Sequence, residues 1–277
     1  MTVFLDPEWQ QHWAGRDPFA EAQALQGTVF RSKEGRRTLR FERGGKGYFL
    51  KWHGGIGWGE IFKNLLQLRL PVLGAENEYL ACLRLKELGV DTMTPVAFAR
   101  RGANPAAQQS FLITEELANT VSLEDVAKHW TTTPPSIREK RAVIRKLARI
   151  SKTLHENGIN HRDYYLCHFL RKDTGLPFVE SDALFLIDLH RVQMRDAVPE
   201  RWQVKDIAGL FYSAFDVPLT RRDIICFLCI YQPDWLERPT PVVVKNICHK
   251  ACALYRKDFG REPPAALLSL LPADITS

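Results

Sequence analysis

No run of residues in this 277-residue chain reaches the ~18 consecutive apolar positions that a bilayer span requires. The opening MTVFLDPEW also lacks the apolar stretch of a secretory signal, because Asp6 interrupts it. The expected location is therefore the cytoplasm. Cysteine is sparse: Cys82, Cys167, Cys226, Cys229, Cys248 and Cys252 lie scattered in apolar helical patterns, which excludes a disulfide framework and implies reduced thiols. The last four could in principle supply zinc thiolates, but IICFLCI and ICHKACAL lack the Gly or Pro turn of a zinc knuckle, so core cysteines are expected. Zinc-finger spacing with paired His, an RRM signature and Lys/Arg runs interleaved with aromatics are all missing, so no nucleic-acid partner is expected.

What is present is apolar mass and positive charge. An apolar content of 45% over 277 residues suffices for one large domain or two lobes sharing a cleft. The net charge of +6 and pI near 9.0 by themselves favour anionic partners, whether nucleotide, nucleic acid, acidic protein or an anionic membrane face.

The chain is organised around GINHRDYYLCHFL, beginning at Gly158, and the later apolar run LFLIDLH, beginning at Leu184. Kinases carry an H-R-D-L-x-x-x-N loop, in which the Asp takes the proton of the acceptor hydroxyl and the Asn binds a metal. His161, Arg162 and Asp163 match that loop, and His168 stands where the Asn is expected. Arg162 and Asp163 are thus the candidate catalytic residues. Asp188 follows Leu184, Phe185, Leu186 and Ile187, where a kinase's metal-binding Asp closes a buried strand, although Asp-Leu-His replaces Asp-Phe-Gly. Asp188 and His168 are the candidate metal ligands, and His168 alternatively contacts a phosphate or sugar. A bare H-R-D would also suit a buried Asp–Arg pair in a helix-to-strand connection. Its place after a long helix, before a β-like run and downstream of a strand Lys favours phosphoryl transfer.

Upstream, Trp9 and Trp13 suit a short helix or packed arm leading into the first strand. Residues 27–31, 37–43 and 47–52 read as three β-segments. The first turn, RSKEGR, is where a phosphate-covering loop should lie; it holds one glycine, Gly35, with Ser32, Lys33 and Arg36 as substitute phosphate contacts. GGKG, from Gly44, reads as a hairpin turn. Lys51 on the third segment would pair with nucleotide phosphates and with an acid on the next helix, Glu78, with Glu76 as the alternative. That helix is expected to carry Leu80, Leu83 and Leu88 at helical spacing, after a long mixed insertion, GGIGWGEIFKNLLQLRLP. FLITEEL lies where a kinase chain crosses between lobes, so backbone near Glu115 and Leu117 would hold the adenine.

Ser136 and Glu139 read as a capping box opening a long helix with Val143, Ile144, Leu147, Ile150 and Leu154 on its buried stripe. Its other side carries Arg138, Lys140, Arg141, Arg145, Lys146, Arg149 and Lys152, either a solvated face or a dock for an anionic partner. Residues 201–215, 221–231 and 242–259 show helical apolar spacing, and Asp206 is either a brace for the catalytic loop or a helix-surface acid. The expected architecture is α+β, a bilobal protein-kinase-like fold: an antiparallel β-rich N-lobe over residues 1–114 with one αC-like helix, and a mainly helical C-lobe over 115–277.

INHRDYYLCHFL, the basic N-lobe and LFLIDLHR resemble the lipopolysaccharide core heptose I kinases of Gram-negative bacteria over nearly the whole chain. The resemblance implies an ATP- and Mg²⁺-dependent kinase, with Mn²⁺ as an option, phosphorylating the first heptose of the lipid A–core oligosaccharide at the cytoplasmic face of the inner membrane. It also implies an acidic protein partner, acyl carrier protein. A protein (tyrosine) kinase and an inactive kinase-like scaffold are the alternatives; the missing Asp-Phe-Gly and A-P-E favour the sugar kinase over the protein kinase.

Overall fold

The computed structural model describes residues 1–33, 35–55, 57–66, 74–237 and 239–270. The chain forms two compact units: Met1–Glu87, Thr92–Ala118 and Leu189–Arg191 in the first, and Leu88–Asp91, Asn119–Asp188 and Val192–Ser277 in the second.

The first unit begins with β1 (Thr2–Leu5), α1 (Pro7–His12) and α2 (Pro18–Ala24). Asp6 and Asp17 cap the two helices by accepting the N–H of Trp9 and Phe19, with Pro7 and Pro18 in the first turn, where no amide donor is needed. Then follow β2 (Thr28–Lys33), β3 (Arg36–Arg43), β4 (Lys46–His53), α3 (Gly57–Leu66), α4 (Glu76–Glu87), β5 (Pro95–Arg101) and β6 (Gln109–Glu115). The strands make one antiparallel sheet in the order β1-β5-β6-β4-β3-β2. GGKG is a hairpin: Arg43 pairs with Lys46, and Gly44 and Gly45 take the positive φ that a tight turn demands.

Strand alternation sorts the residues of this sheet between two faces. Leu50, Phe111 and Ile113 face Trp9, Trp13 and Phe19 of the first helices. Their neighbour Leu112 packs instead with Phe98 and Tyr79 on the side of α4, where the Tyr79 and Phe98 rings stack at 4.4 Å. Lys51 lies directly opposite Leu112 and so shares the α4 side.

Three expectations change here. The N-terminal arm contains a strand, β1, paired along β5, as well as helices. The mixed insertion contains α3, with Trp58, Phe62 and Leu66 exposed; residues 67–73 lie outside the described residues. The buried face of α4 is Glu78, Ala81, Cys82 and Leu85, while Leu80 is exposed.

The second unit continues with β7 (Thr120–Ser122), α5 (Leu123–His129), α6 (Ile137–Glu156), β8 (Ile159–Asn160), β9 (Phe169–Lys172), β10 (Leu184–Leu186) and β11 (Gln193–Met194). α7 (Glu200–Ser213), α8 (Arg221–Tyr231), α9 (Val242–Phe259) and α10 (Ala265–Leu268) complete it. Small antiparallel sheets β10-β9-β7 and β11-β8 flank the helices, and α6 packs on α8 as α7 does on α9. Cys248 and Cys252 are core residues as expected, whereas Cys226 is half-buried and Cys229 exposed.

One reading of α6 is corrected. Ser136 caps the helix through the Glu139 N–H, but the Glu139 carboxylate accepts from Arg171 and the Phe178 amide, so the reciprocal half of the capping box is given up to tertiary contacts. Its basic side is also largely compensated: Lys140 meets Asp223 at 2.6 Å, Arg145 and Arg149 reach Glu180, Lys146 reaches Asp91 and Lys152 reaches Glu156.

The helices α5 to α9 line an open apolar pocket of about 220 Å³, with Val126, Val143, Ile207, Phe227, Trp235 and Val244 among its walls. No helix among the described residues is long and apolar enough to cross a membrane.

Candidate active site

In the first unit, Lys51 Nζ sits 2.6 Å from Glu78 Oε1. Glu78 is 1% exposed, so its charge depends on that cation. Glu76, two residues earlier and turned elsewhere by the helix, pairs with Arg100 at 2.5 Å. Next to Lys51 on the same strand face, His53 is buried opposite Arg36. Burial, together with the positive charge of Arg36, Lys51 and His190, drives its pKa down to about 3, so it stays neutral.

Glu115 ends β6, and the segment leading to Leu117 is fixed by a residue that the sequence did not single out. Glu116 receives two parallel bonds from Arg40, 2.7 and 2.8 Å, while its amide donates to the Gly47 carbonyl at 2.9 Å. Only the Arg at strand spacing in a basic β3 hinted at this. Ser32 and Lys33 belong to β2, paired with Arg37 and Arg36, so both lie in the strand and not in the expected phosphate turn. Ser32 is exposed; Glu34 and the Lys33 side chain lie outside the described residues.

In the second unit, α6 stops at Asn157, and Gly158 (φ +73°) turns the chain into β8. A Cβ there would lie 1.6 Å from the Arg195 carbonyl oxygen, so only glycine fits. Asp206 on α7, 1% exposed, accepts the backbone N–H of His161 at 2.6 Å and of Arg162 at 2.8 Å. Asp206 is thus the brace and not a helix-surface acid. Its side chain holds Arg162 at φ +75°, a conformation costly for a residue with a Cβ. Behind it, His155 Nε2 lies 3.5 Å from Asp206 and its Nδ1 is 2.6 Å from the Tyr231 hydroxyl.

His161 is fully buried, and its Nε2 is 3.0 Å from the Ile187 carbonyl, the peptide that leads into Asp188. Asp188 has φ +61°, so two of the three described non-glycine residues with positive φ stand in this loop system. His168 joins both ends: Nδ1 donates to the Asp163 carbonyl at 2.6 Å, and Nε2 is 3.5 Å from Asp188 Oδ2. Burial opposes charge on His168, but contacts with Cys167, the Asp163 carbonyl and Asp188 outweigh it and push its pKa up to about 9. The sequence-derived residues Asp163, His168 and Asp188 are therefore brought together, as are Lys51 and Glu78.

No group of three or more His, Cys, Asp or Glu side chains among the described residues forms a metal cage. Mg²⁺ usually keeps several waters and binds one or two protein carboxylates plus substrate phosphates, so the Asp188 carboxylate fits such an ion without a cage, whereas His168, charged near neutral pH, offers a ligand nitrogen only after it gives up a proton.

An antiparallel sheet carrying a Lys–Glu pair, and a helical unit whose HRD loop is braced by a buried Asp, define a protein-kinase-like fold. The family model of the lipopolysaccharide kinase (Kdo/WaaP) family matches residues 20–231. The chain belongs to that family, and as a kinase it is an ATP-dependent phosphotransferase. It is 52% identical over 246 residues to the lipopolysaccharide core heptose(I) kinase WaaP of Pseudomonas aeruginosa, covering 89% of this chain and 90% of that one. It is 50% identical over 222 residues to the enzyme of the same name from Escherichia coli K12, covering 79% and 83%. A solved structure described as WaaP in complex with acyl carrier protein matches with a TM-score of 0.79 and 43% identity, covering 92% of this chain and all of that chain.

Proposed function

We propose that this protein phosphorylates the first heptose of the lipopolysaccharide inner core, at the inner-membrane surface, using ATP and Mg²⁺. The observation that carries this reading is 52% identity across most of the chain to heptose(I) kinases, in a protein whose HRD loop is braced by Asp206.

In this reading the backbone of Glu115 to Leu117 takes the adenine, and Lys51, steadied by Glu78, meets the nucleotide phosphates. The heptose hydroxyl oxygen attacks the γ-phosphorus, its proton passes to the Asp163 carboxylate, and the bond to the ADP oxygen breaks with the electron pair leaving on ADP. Asp188, joined by His168 once its ring is deprotonated, would hold the metal ion, which neutralises charge on the phosphates when bound. Acyl carrier protein is the proposed protein partner. The pocket of about 220 Å³ offers an acyl chain walls with almost no polar groups.

The test is transfer from labelled ATP by purified protein to core oligosaccharide, with a Tyr-rich peptide as the competing acceptor. Wild type should label the oligosaccharide alone. Asp163→Asn should keep its melting curve and lose at least about 10²-fold in rate. Peptide labelling, or an Asp163→Asn enzyme as fast as wild type, would overturn the reading.

A further inference from the structure

Tyr231 ends α8 and is 4% exposed. Its ring is seated by Trp235, edge-on at 5.1 Å, and by Phe227 at 5.5 Å, both of them walls of the apolar pocket. Burial raises its pKa, so the hydroxyl keeps its proton and remains a donor. The atom it reaches is His155 Nδ1, at 2.6 Å. Asp206 already accepts two amide protons, and a carboxylate can only accept, so the imidazole hydrogen sits on Nε2, facing Asp206 Oδ2 at 3.5 Å. Nδ1 then has the Tyr231 hydroxyl as its partner. A continuous buried path runs from the pocket wall through Tyr231, His155 and Asp206 to the amides of His161 and Arg162, next to Asp163.

We infer that Tyr231 is a positioning residue for phosphoryl transfer: its hydroxyl holds the orientation of His155, and thereby the carboxylate that holds the HRD backbone. The inference rests on Asp163 acting as proposed above. The 3.5 Å contact to Asp206 is long, so His155 depends on its other bond for its orientation. The strained Arg162 backbone depends in turn on Asp206. Loss of the Tyr231 hydroxyl frees the ring to rotate and leaves Nδ1 without a partner in a dry interior.

The experiment compares Tyr231→Phe, His155→Gln, the double variant and Tyr255→Phe in the full chain. Tyr255 is the control: it is 0% exposed in the same core cluster, and its hydroxyl bonds Asp216 instead of this path. Two readouts are taken, amide exchange of His161 and Arg162, and steady-state transfer from ATP to core oligosaccharide. Tyr231→Phe should speed exchange of those amides and lower kcat about tenfold, the effect of one lost hydrogen bond, with KM for ATP unchanged. His155→Gln should do the same, and the double variant should be no worse than the more impaired single variant, since both act on one path. Tyr255→Phe should change neither readout. Unchanged exchange in Tyr231→Phe, additive losses in the double variant, or equal losses in Tyr255→Phe would overturn the inference. If Tyr231→Phe does not fold, His155→Gln with its exchange readout decides alone. Absence of transfer in wild type, with exchange responding as described, would instead count against the functional reading.

Discussion

At the scale of single residues, His168 departs most from the general kinase pattern. An amide oxygen suits Mg²⁺, a hard cation, whereas imidazole suits transition metals better. In the structure its Nδ1 is engaged by the Asp163 carbonyl, which leaves Nε2 facing Asp188. If that nitrogen is a ligand, His168→Asn should restore Mg²⁺-supported transfer relative to His168→Ala, and wild type should gain more from Mn²⁺ than the Asn variant does. Rates measured with each metal check this, and equal behaviour of the Asn and Ala variants with both would leave His168 as a loop tie between Asp163 and Asp188.

At the scale of elements, much was legible because periodicity reports burial directly. The buried stripe of α6, from Val143 to Leu154, and the extents of α8 and α9 follow from apolar spacing alone. The α4 helix itself is legible, but its inward face is not, because that face is built from Glu78, Ala81 and Cys82 as well as Leu85, and small or charged residues carry little apolar signal. Glu78 is inside because Lys51, on a strand facing it, supplies the charge. β1 was missed because a four-residue strand pairs far along the chain with β5. Glu116 and the path behind Asp206 were invisible for the same reason: their partners are set by tertiary contacts, not by spacing. The two acids at the start of α4 should then differ sharply. Glu78→Gln strands a half-buried ammonium and should lower stability by about 3 kcal/mol and impair nucleotide use. Glu76→Gln breaks a pair that is about one third exposed on both sides and should cost under about 1 kcal/mol. Urea melts and KM for ATP on the two variants test the contrast.

For the whole molecule, acid stability follows from histidine burial. His53 has a folded-state pKa of about 3, against about 6.5 when unfolded. Below pH 6.5 the unfolded chain therefore takes up a proton that the folded chain refuses, so stability falls as pH drops from 6.5 towards 3, by about 2 kcal/mol at pH 5. His161, lowered in the same direction by burial, adds to this. His53→Gln should flatten the dependence of the melting midpoint on pH between 6.5 and 5, and an unchanged slope would show that other groups govern it.

The apolar pocket among α5 to α9 also makes volume a thermodynamic variable for this protein. Walls such as Val143, Ile207 and Phe227 give water few partners, so an unfilled pocket of about 220 Å³ is poorly packed by solvent. That volume corresponds to at most roughly 130 mL per mole, and the contraction on unfolding scales with the part of it that solvent leaves unfilled. Hydrostatic compression should therefore unfold the second unit readily. A medium-chain fatty acid that occupies the pocket should raise the midpoint pressure of unfolding, followed by tryptophan fluorescence, and a midpoint indifferent to the fatty acid would mean that the pocket already holds water or does not admit the chain.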